Sequence, residues 1–94
     1  MRTIKWSSEF KKDYRRIQAT PRHRDIDILL ESAVTLLVND QPLPTTFRDH
    51  PLIGDWHGYR ECHLKPDLLL IYKTSEAGVL RLARLGSHAE LFRH

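Results

Sequence analysis

Apolar residues recur most regularly between Ile26 and Val38. Ile26, Leu29, Leu30, Ala33, Val34, Leu37 and Val38 fall at i, i+3, i+4, i+7, i+8, i+11 and i+12, one face of an amphipathic helix of about four to five turns. Thr20-Pro21 is read as its start, an N-cap followed by proline at N1. A shorter helix precedes it. Phe10, Tyr14 and Ile17 mark its inner face, Ser7 or Ser8 caps it, and Lys11, Lys12, Arg15 and Arg16 point outward. Arg2–Trp6 alternates as a first strand. QPLPTTF is extended or looped, because both prolines restrict the residue before them. From Trp56 onward the period shortens to two, and WHGYRECHL, DLLLIYK and VLRLARL read as three strands joined at Lys65-Pro66 and Ser75–Gly78. DLLLIYK is apolar on both faces, as a covered central strand is. Ser87-His88-Ala89-Glu90 then matches a capping box opening a short terminal helix, with Gly86 allowing the sharp exit from the strand. The expected architecture is one α+β domain over residues 1–94: an N-terminal strand and two helices packed on an antiparallel β-meander, closed by a short C-terminal helix.

Composition narrows the class. Of 94 residues, 40% are hydrophobic and 29% charged, the balance of a folded globular chain and not of a disordered one. No apolar run approaches the roughly 18–20 residues that span a bilayer, and MRTIKWSSEF lacks a signal-peptide core. The single cysteine, Cys62, excludes an intramolecular disulfide and suits a reducing compartment, so a cytoplasmic location without membrane partners is expected. The net charge of +3 is unevenly spread. From Arg2 to Arg24, eight Lys or Arg face only Glu9 and Asp13, whereas residues 49–94 carry six of each sign. A basic N-terminal third points to a polyanion, most simply nucleic acid.

Candidate chemistry lies in the other half. His23 and His94 are read as surface residues and His57 as an exposed loop residue, while Trp56, Tyr59 and Cys62 are read as packing. His50, His63 and His88 stand near Asp67 and Arg84 in sequence. In the capping box His88 occupies N1, where helix N–H groups favour an anion such as phosphate. A three-residue connection Leu64-Lys65-Pro66 sets His63 opposite Asp67, and a four-residue loop Ser75–Gly78 sets Arg84 opposite Leu69. Together these bring a His, a carboxylate and an Arg to one end of the sheet. His50, His57 and His63 are seven and six apart, unlike the short spacings of zinc sites, so no metal is assigned. There is no G-x-S-x-G either. Histidines with an arginine suit phosphodiester cleavage by acid–base chemistry without a cofactor.

LP-x₃-RDHPL-x-G-x-W-x-GYRE-x-H-x-x-PD-x-x-LIYK followed by LxRLGSHAELF closely resembles the YafQ branch of the RelE/ParE toxin superfamily. The match runs nearly continuously from Leu43 to Phe92. The resemblance implies the RelE-like fold and a ribosome-dependent mRNA endonuclease, the toxin of a type II toxin–antitoxin pair, acting in the ribosomal A site by 2′-OH attack without metal. It implies that His50, His63, Asp67, Arg84 and His88 are catalytic. His88 is then the general acid, His50 or the His63–Asp67 pair the base or its orienting group, and Arg84 the transition-state stabiliser. Phe92 positions a base, and Lys11, Lys12, Arg15 and Arg16 contact ribosomal RNA phosphates. Implied partners are the ribosome, mRNA and a DinJ/RelB-like antitoxin that folds on binding, with operator DNA bound only through the antitoxin complex. Leu68 stands where the family commonly has Trp, which bears on codon preference. A ParE-like toxin that poisons DNA gyrase by binding alone shares the fold, but it has no use for the histidines or the GSHAELF terminus. A small DNA-binding regulator is weakened by the lack of a helix-turn-helix spacing.

Overall fold

The computed structural model describes residues 1–75 and 77–92; His94 lies outside the described residues, as does Glu76 of the expected Ser75–Gly78 loop. Strand β1 (Thr3–Trp6) leads into α1 (Ser8–Gln18) and α2 (Ile26–Val38). There follow β2 (His50–Pro51), β3 (Arg60–Lys65), β4 (Leu68–Thr74), β5 (Val79–Gly86) and α3 (His88–Leu91). The five strands form one sheet in the order β1-β5-β4-β3-β2. β1 runs parallel to β5, and the remaining pairs are antiparallel. This is the α+β architecture expected, with DLLLIYK at the centre of the sheet.

Alternation along the strands divides the core in two. Cys62, Leu64, Leu70, Tyr72, Leu80, Leu82 and Leu85 face Phe10 and Ile17 of α1 and Ile26, Ala33 and Leu37 of α2. The opposite face is smaller: Leu69, Ile71 and Ala83 are covered by Leu91 of α3 and by Leu52, Trp56, Tyr59 and Phe92. Trp56 and Tyr59 meet edge to face at 5.2 Å and, as expected, pack that covering loop. Glu61 and His63 alternate with Cys62 and Leu64 on β3, so they belong to the smaller face.

Several boundaries and registers differ from the sequence reading, each for a local reason. Pro21–His23 forms a 3₁₀ turn, and α2 begins only at Ile26. The Thr20 hydroxyl donates back to Arg16 O at 2.9 Å and caps nothing, so His23, read as a surface residue, sits in the turn and is half-buried. Gly54–Trp56 is also a 3₁₀ turn, with Gly54 and Gly58 at φ +69° and +93°, which delays β3 to Arg60. The two-residue strand β2 was not foreseen.

His63 does not face Asp67. It pairs with Leu69, and Lys65 with Leu68, leaving Pro66-Asp67 as the turn. Neither turn residue has positive φ, so the strand twist that a type I′ loop would match is met by an irregularity at Leu64. Arg84 is not opposite Leu69 either. Thr74 pairs with Leu80 and Tyr72 with Leu82, and a bulge at Ala83 then moves Arg84 opposite Ile71.

Candidate active site

The β2–β3 pairing brings the first histidine into place. His50 lies opposite Glu61 and Pro51 opposite Arg60. Asp49 anchors the arriving loop: it accepts from Arg60 Nε and Nη2 at 3.2 and 3.3 Å and from the Tyr72 hydroxyl at 2.5 Å. Burial and the Asp49 carboxylate together push the Tyr72 phenol well above its ordinary range.

Glu61 is the residue around which the histidines gather, and the sequence reading gave it no role. It is 3% exposed. His50 Nε2 stands 3.0 Å from Glu61 Oε2, His63 Nε2 3.2 Å from the same oxygen, and His88 Nε2 4.0 Å from it. An ionised carboxylate only accepts hydrogen bonds, so His50 Nε2 donates to it. The ring centroids of His63 lie 6.4 Å from His50 and 5.8 Å from His88. The three rings differ in access. Side-chain exposure is 49% for His50 and 55% for His88 but 12% for His63. His63 Nδ1 is the one buried side-chain polar atom without a hydrogen-bond partner among the described residues.

The terminal turn is built as the capping box implies. Ser87 Oγ accepts from Glu90 N at 3.2 Å, and Glu90 Oε1 accepts from Ser87 N at 2.9 Å. The anion at its first N–H is the chain's own carboxylate. His88 N–H donates to Asp67 Oδ1 at 3.1 Å, and His88 Nδ1 lies 3.3 Å from the same oxygen. These two bonds from His88 hold the Asp67 carboxyl below its ordinary value. With Nδ1 bonded to Asp67, Nε2 of His88 is turned toward the cluster. Phe92 is half-buried against the smaller core, its ring 6.1 Å from that of His88.

His50, His63, His88 and Asp67 therefore come together, with Phe92 beside them. Arg84 is engaged elsewhere: its Nε and Nη2 donate to Asp13 Oδ2 and Oδ1 at 2.7 and 3.2 Å. The basic residues Lys11, Lys12, Arg15 and Arg16 on α1 are all exposed, and the first three make no ion pair among the described residues. Arg16 is paired, with Asp13 at 3.2 Å and Glu90 at 3.1 Å. Lys11 and Arg15 also edge an apolar groove of about 490 Å³ walled by Trp6, Phe10, Tyr14 and Leu30. His57 is exposed and Cys62 fully buried, and burial pushes the Cys62 thiol up to about 12.

One ligand atom each from His50, Glu61 and His63 lies within 4.8 Å of the others, a donor set that suits a borderline divalent cation. Sequence spacing hid this grouping because the strand pairing makes it. No helix among the described residues is long and apolar enough to cross a membrane.

A family profile described as the bacterial toxin of type II toxin–antitoxin system, YafQ, matches residues 2–93. The curated mRNA interferase toxin YafQ of Escherichia coli (strain K12) is 45% identical over 92 residues, which cover 97% of this chain and 96% of that protein. A crystal structure of the E. coli DinJ–YafQ complex matches with a TM-score of 0.84 at 44% identity, over 98% of this chain and 99% of the matched one. A crystal structure of a metal-bound toxin from Helicobacter pylori matches with a TM-score of 0.83 at 43% identity, over 98% and 100%.

Proposed function

The chain belongs to the YafQ family of type II toxins, and from that premise we propose that it is an mRNA interferase that cleaves mRNA in the ribosomal A site by attack of a 2′-OH on the adjacent phosphate. The observation that carries the reading is the pair of exposed imidazoles, His50 and His88, set around one buried carboxylate. A transphosphorylation needs one group to take a proton and another to give one.

His50 is the base. His63 has its free nitrogen buried, and Asp67 is committed to His88. With Nε2 donating to Glu61, His50 takes the 2′-OH proton at Nδ1, where the incoming 2′-OH displaces the Pro51 carbonyl that stands 3.2 Å away. The 2′-oxygen bonds to phosphorus as the P–O5′ bond breaks, and His88, as the imidazolium with Nδ1–H on Asp67, gives its Nε2 proton to the departing 5′-oxygen. The products are a 2′,3′-cyclic phosphate and a 5′-OH. His63 and Glu61 orient His50, and Asp67, accepting from His88 Nδ1, orients the imidazolium that the acid step requires. Arg84 spends two of its five donors on Asp13, leaving the others for the charge that builds on the phosphate. Phe92 stacks on a base. Leu68 is fully buried, so it shapes codon preference only through its neighbours.

Lys11, Lys12 and Arg15 hold ribosomal RNA phosphates. The cognate antitoxin is DinJ-like, and an acidic amphipathic segment of it suits the apolar groove beside Lys11 and Arg15. Toxin bound in this way has its ribosome-facing helix covered. A copper or zinc ion on His50, Glu61 and His63 would take the nitrogens that His50 chemistry needs, and so acts as an inhibitor.

The test is mRNA cleavage by purified protein with and without programmed ribosomes, in EDTA and with added copper, followed by end-group analysis. Cleavage only on ribosomes, unchanged by EDTA, lost with copper and leaving cyclic or 3′-phosphate ends is expected. Cleavage of free mRNA at the same rate, 5′-phosphate ends, or none at all overturns the reading. In the last case a gyrase supercoiling assay becomes the next step.

A further inference from the structure

We propose that Asp13, on α1 and outside the histidine cluster, is a positioning residue for cleavage: it fixes the Arg84 guanidinium directly and the His88 turn through Arg16 and Glu90. The inference rests on the reading above, in which Arg84 and His88 act on the RNA.

Asp13 is 3% exposed and its carboxylate receives four hydrogen bonds. Arg84 supplies two, at 2.7 and 3.2 Å, and Arg16 one at 3.2 Å. The fourth comes from the backbone N–H of Leu85 at 3.0 Å. A two-point fork fixes both the place and the plane of a guanidinium, which a single contact does not. The bulge at Ala83 is what sets Arg84 opposite Ile71, and the Leu85 N–H bonded to Asp13 secures the strand just past that bulge.

The second arm runs from the same carboxylate. Arg16 also reaches Glu90 Oε2 at 3.1 Å and the Leu85 carbonyl at 3.4 Å. Glu90 is in turn the capping residue of the turn that carries His88 and Phe92. Gly86 shows how closely this arm approaches the backbone. A Cβ there would stand 2.9 Å from Glu90 Oε1 and 3.2 Å from Arg16 Nη2. Its role is therefore clearance for the ion pair, and not the unusual φ that a sharp strand exit suggested. Thus α1 ties the chain's end to the sheet through one buried acid.

Single-turnover cleavage on saturating programmed ribosomes tests this with Asp13→Asn, Arg84→Ala and the double variant, each checked for a folded near-UV spectrum at the assay temperature. Misplacing a transition-state contact lowers the rate about 30-fold in Asp13→Asn. In the Arg84→Ala background the same change costs no more than about threefold, because the two residues act as one unit. A merely structural Asp13 gives a folded variant with the wild-type rate, or an equal loss in both backgrounds; either result overturns the proposal. Glu90→Gln keeps the cap but loses the ion pair with Arg16, and it removes no α1 cation. It is expected to slow cleavage about threefold with ribosome affinity unchanged. If Asp13→Asn does not fold, a wild-type rate in Glu90→Gln overturns the proposal. Wild-type protein that does not cleave overturns the proposed function itself, and this inference with it.

Discussion

Asp13 and Glu61 are the two charged side chains buried among the described residues, each 3% exposed, and their surroundings have opposite characters. Asp13 is enclosed by two guanidiniums and a backbone N–H. Those donors keep their protons at any physiological pH. Glu61 is enclosed by imidazoles, whose ring nitrogens can each give or take a proton. The first carboxylate therefore holds a fixed geometry, and the second sits where protons move. Burial of an acid does not by itself indicate catalysis; the chemistry of its partners does. His88 belongs to both regions, since Glu61 faces its ring and Glu90, tied to Asp13 through Arg16, caps its helix.

The hardest test of the comparison is His88→Ala. The imidazole is more than half exposed and its backbone N–H to Asp67 is kept. Loss of a general acid lowers cleavage about 1000-fold. Stability should move by no more than about 0.5 kcal/mol, as for other exposed positions. A thermal melt beside the rate measurement separates the two. A variant that cleaves within tenfold of wild type places the acid elsewhere.

Next comes the contrast itself. Glu61→Gln leaves an acceptor for one imidazole, so it should cost less than about 1 kcal/mol. It removes the charge that holds His50, and the rate should fall about 100-fold. Asp13→Asn leaves two guanidiniums facing an amide, and breaking that buried pair should cost about 2–3 kcal/mol. In a chain of this size that lowers the melting temperature by about 10–15 °C. If the two variants lose equal stability, the division into a proton-exchanging and a fixed carboxylate is wrong.

The sequence revealed what is local or periodic. The spacing Ile26–Val38 marks a helix whatever surrounds it, the all-apolar DLLLIYK finds the middle of the sheet, and the capping box forms with both of its hydrogen bonds. What it hid depends on distant pairing. Nothing around Glu61 announces burial among histidines, because His50 reaches it through a two-residue strand eleven positions earlier. Asp13 reads as one acid in a basic helix, because its partner Arg84 is 71 residues away. Arg84 itself was misplaced by two positions: Thr74 pairs with Leu80 and not Val79, and the bulge at Ala83 shifts the register by one more. The family resemblance named His50, His63, His88 and Asp67, which the structure brings together, without saying what gathers them.

The smallest effect is the acid limb of stability, and it separates a buried from an exposed carboxylate. Burial raises the Asp13 carboxyl, but hydrogen bonds from Arg84 and Leu85 outweigh it and hold the group below its ordinary value of 3.8. A carboxylate lowered on folding contributes stability that is fully present above its unfolded value, and loses it as pH falls through the folded one. The stability gap between wild type and Asp13→Asn should therefore be constant from about pH 7 to pH 5 and narrow below about pH 4. Asp67 is lowered too, by His88, but it is exposed on the surface. Salt screens an exposed pair far more than a buried one. At about 0.5 M salt the narrowing of the Asp13 gap should persist, whereas any acid-limb difference between wild type and Asp67→Asn should disappear. Urea unfolding at a series of pH values, at low and high salt, measures both gaps. An Asp13 gap that vanishes with salt would mean that water reaches the carboxylate, and the fixed geometry assigned to it would fail.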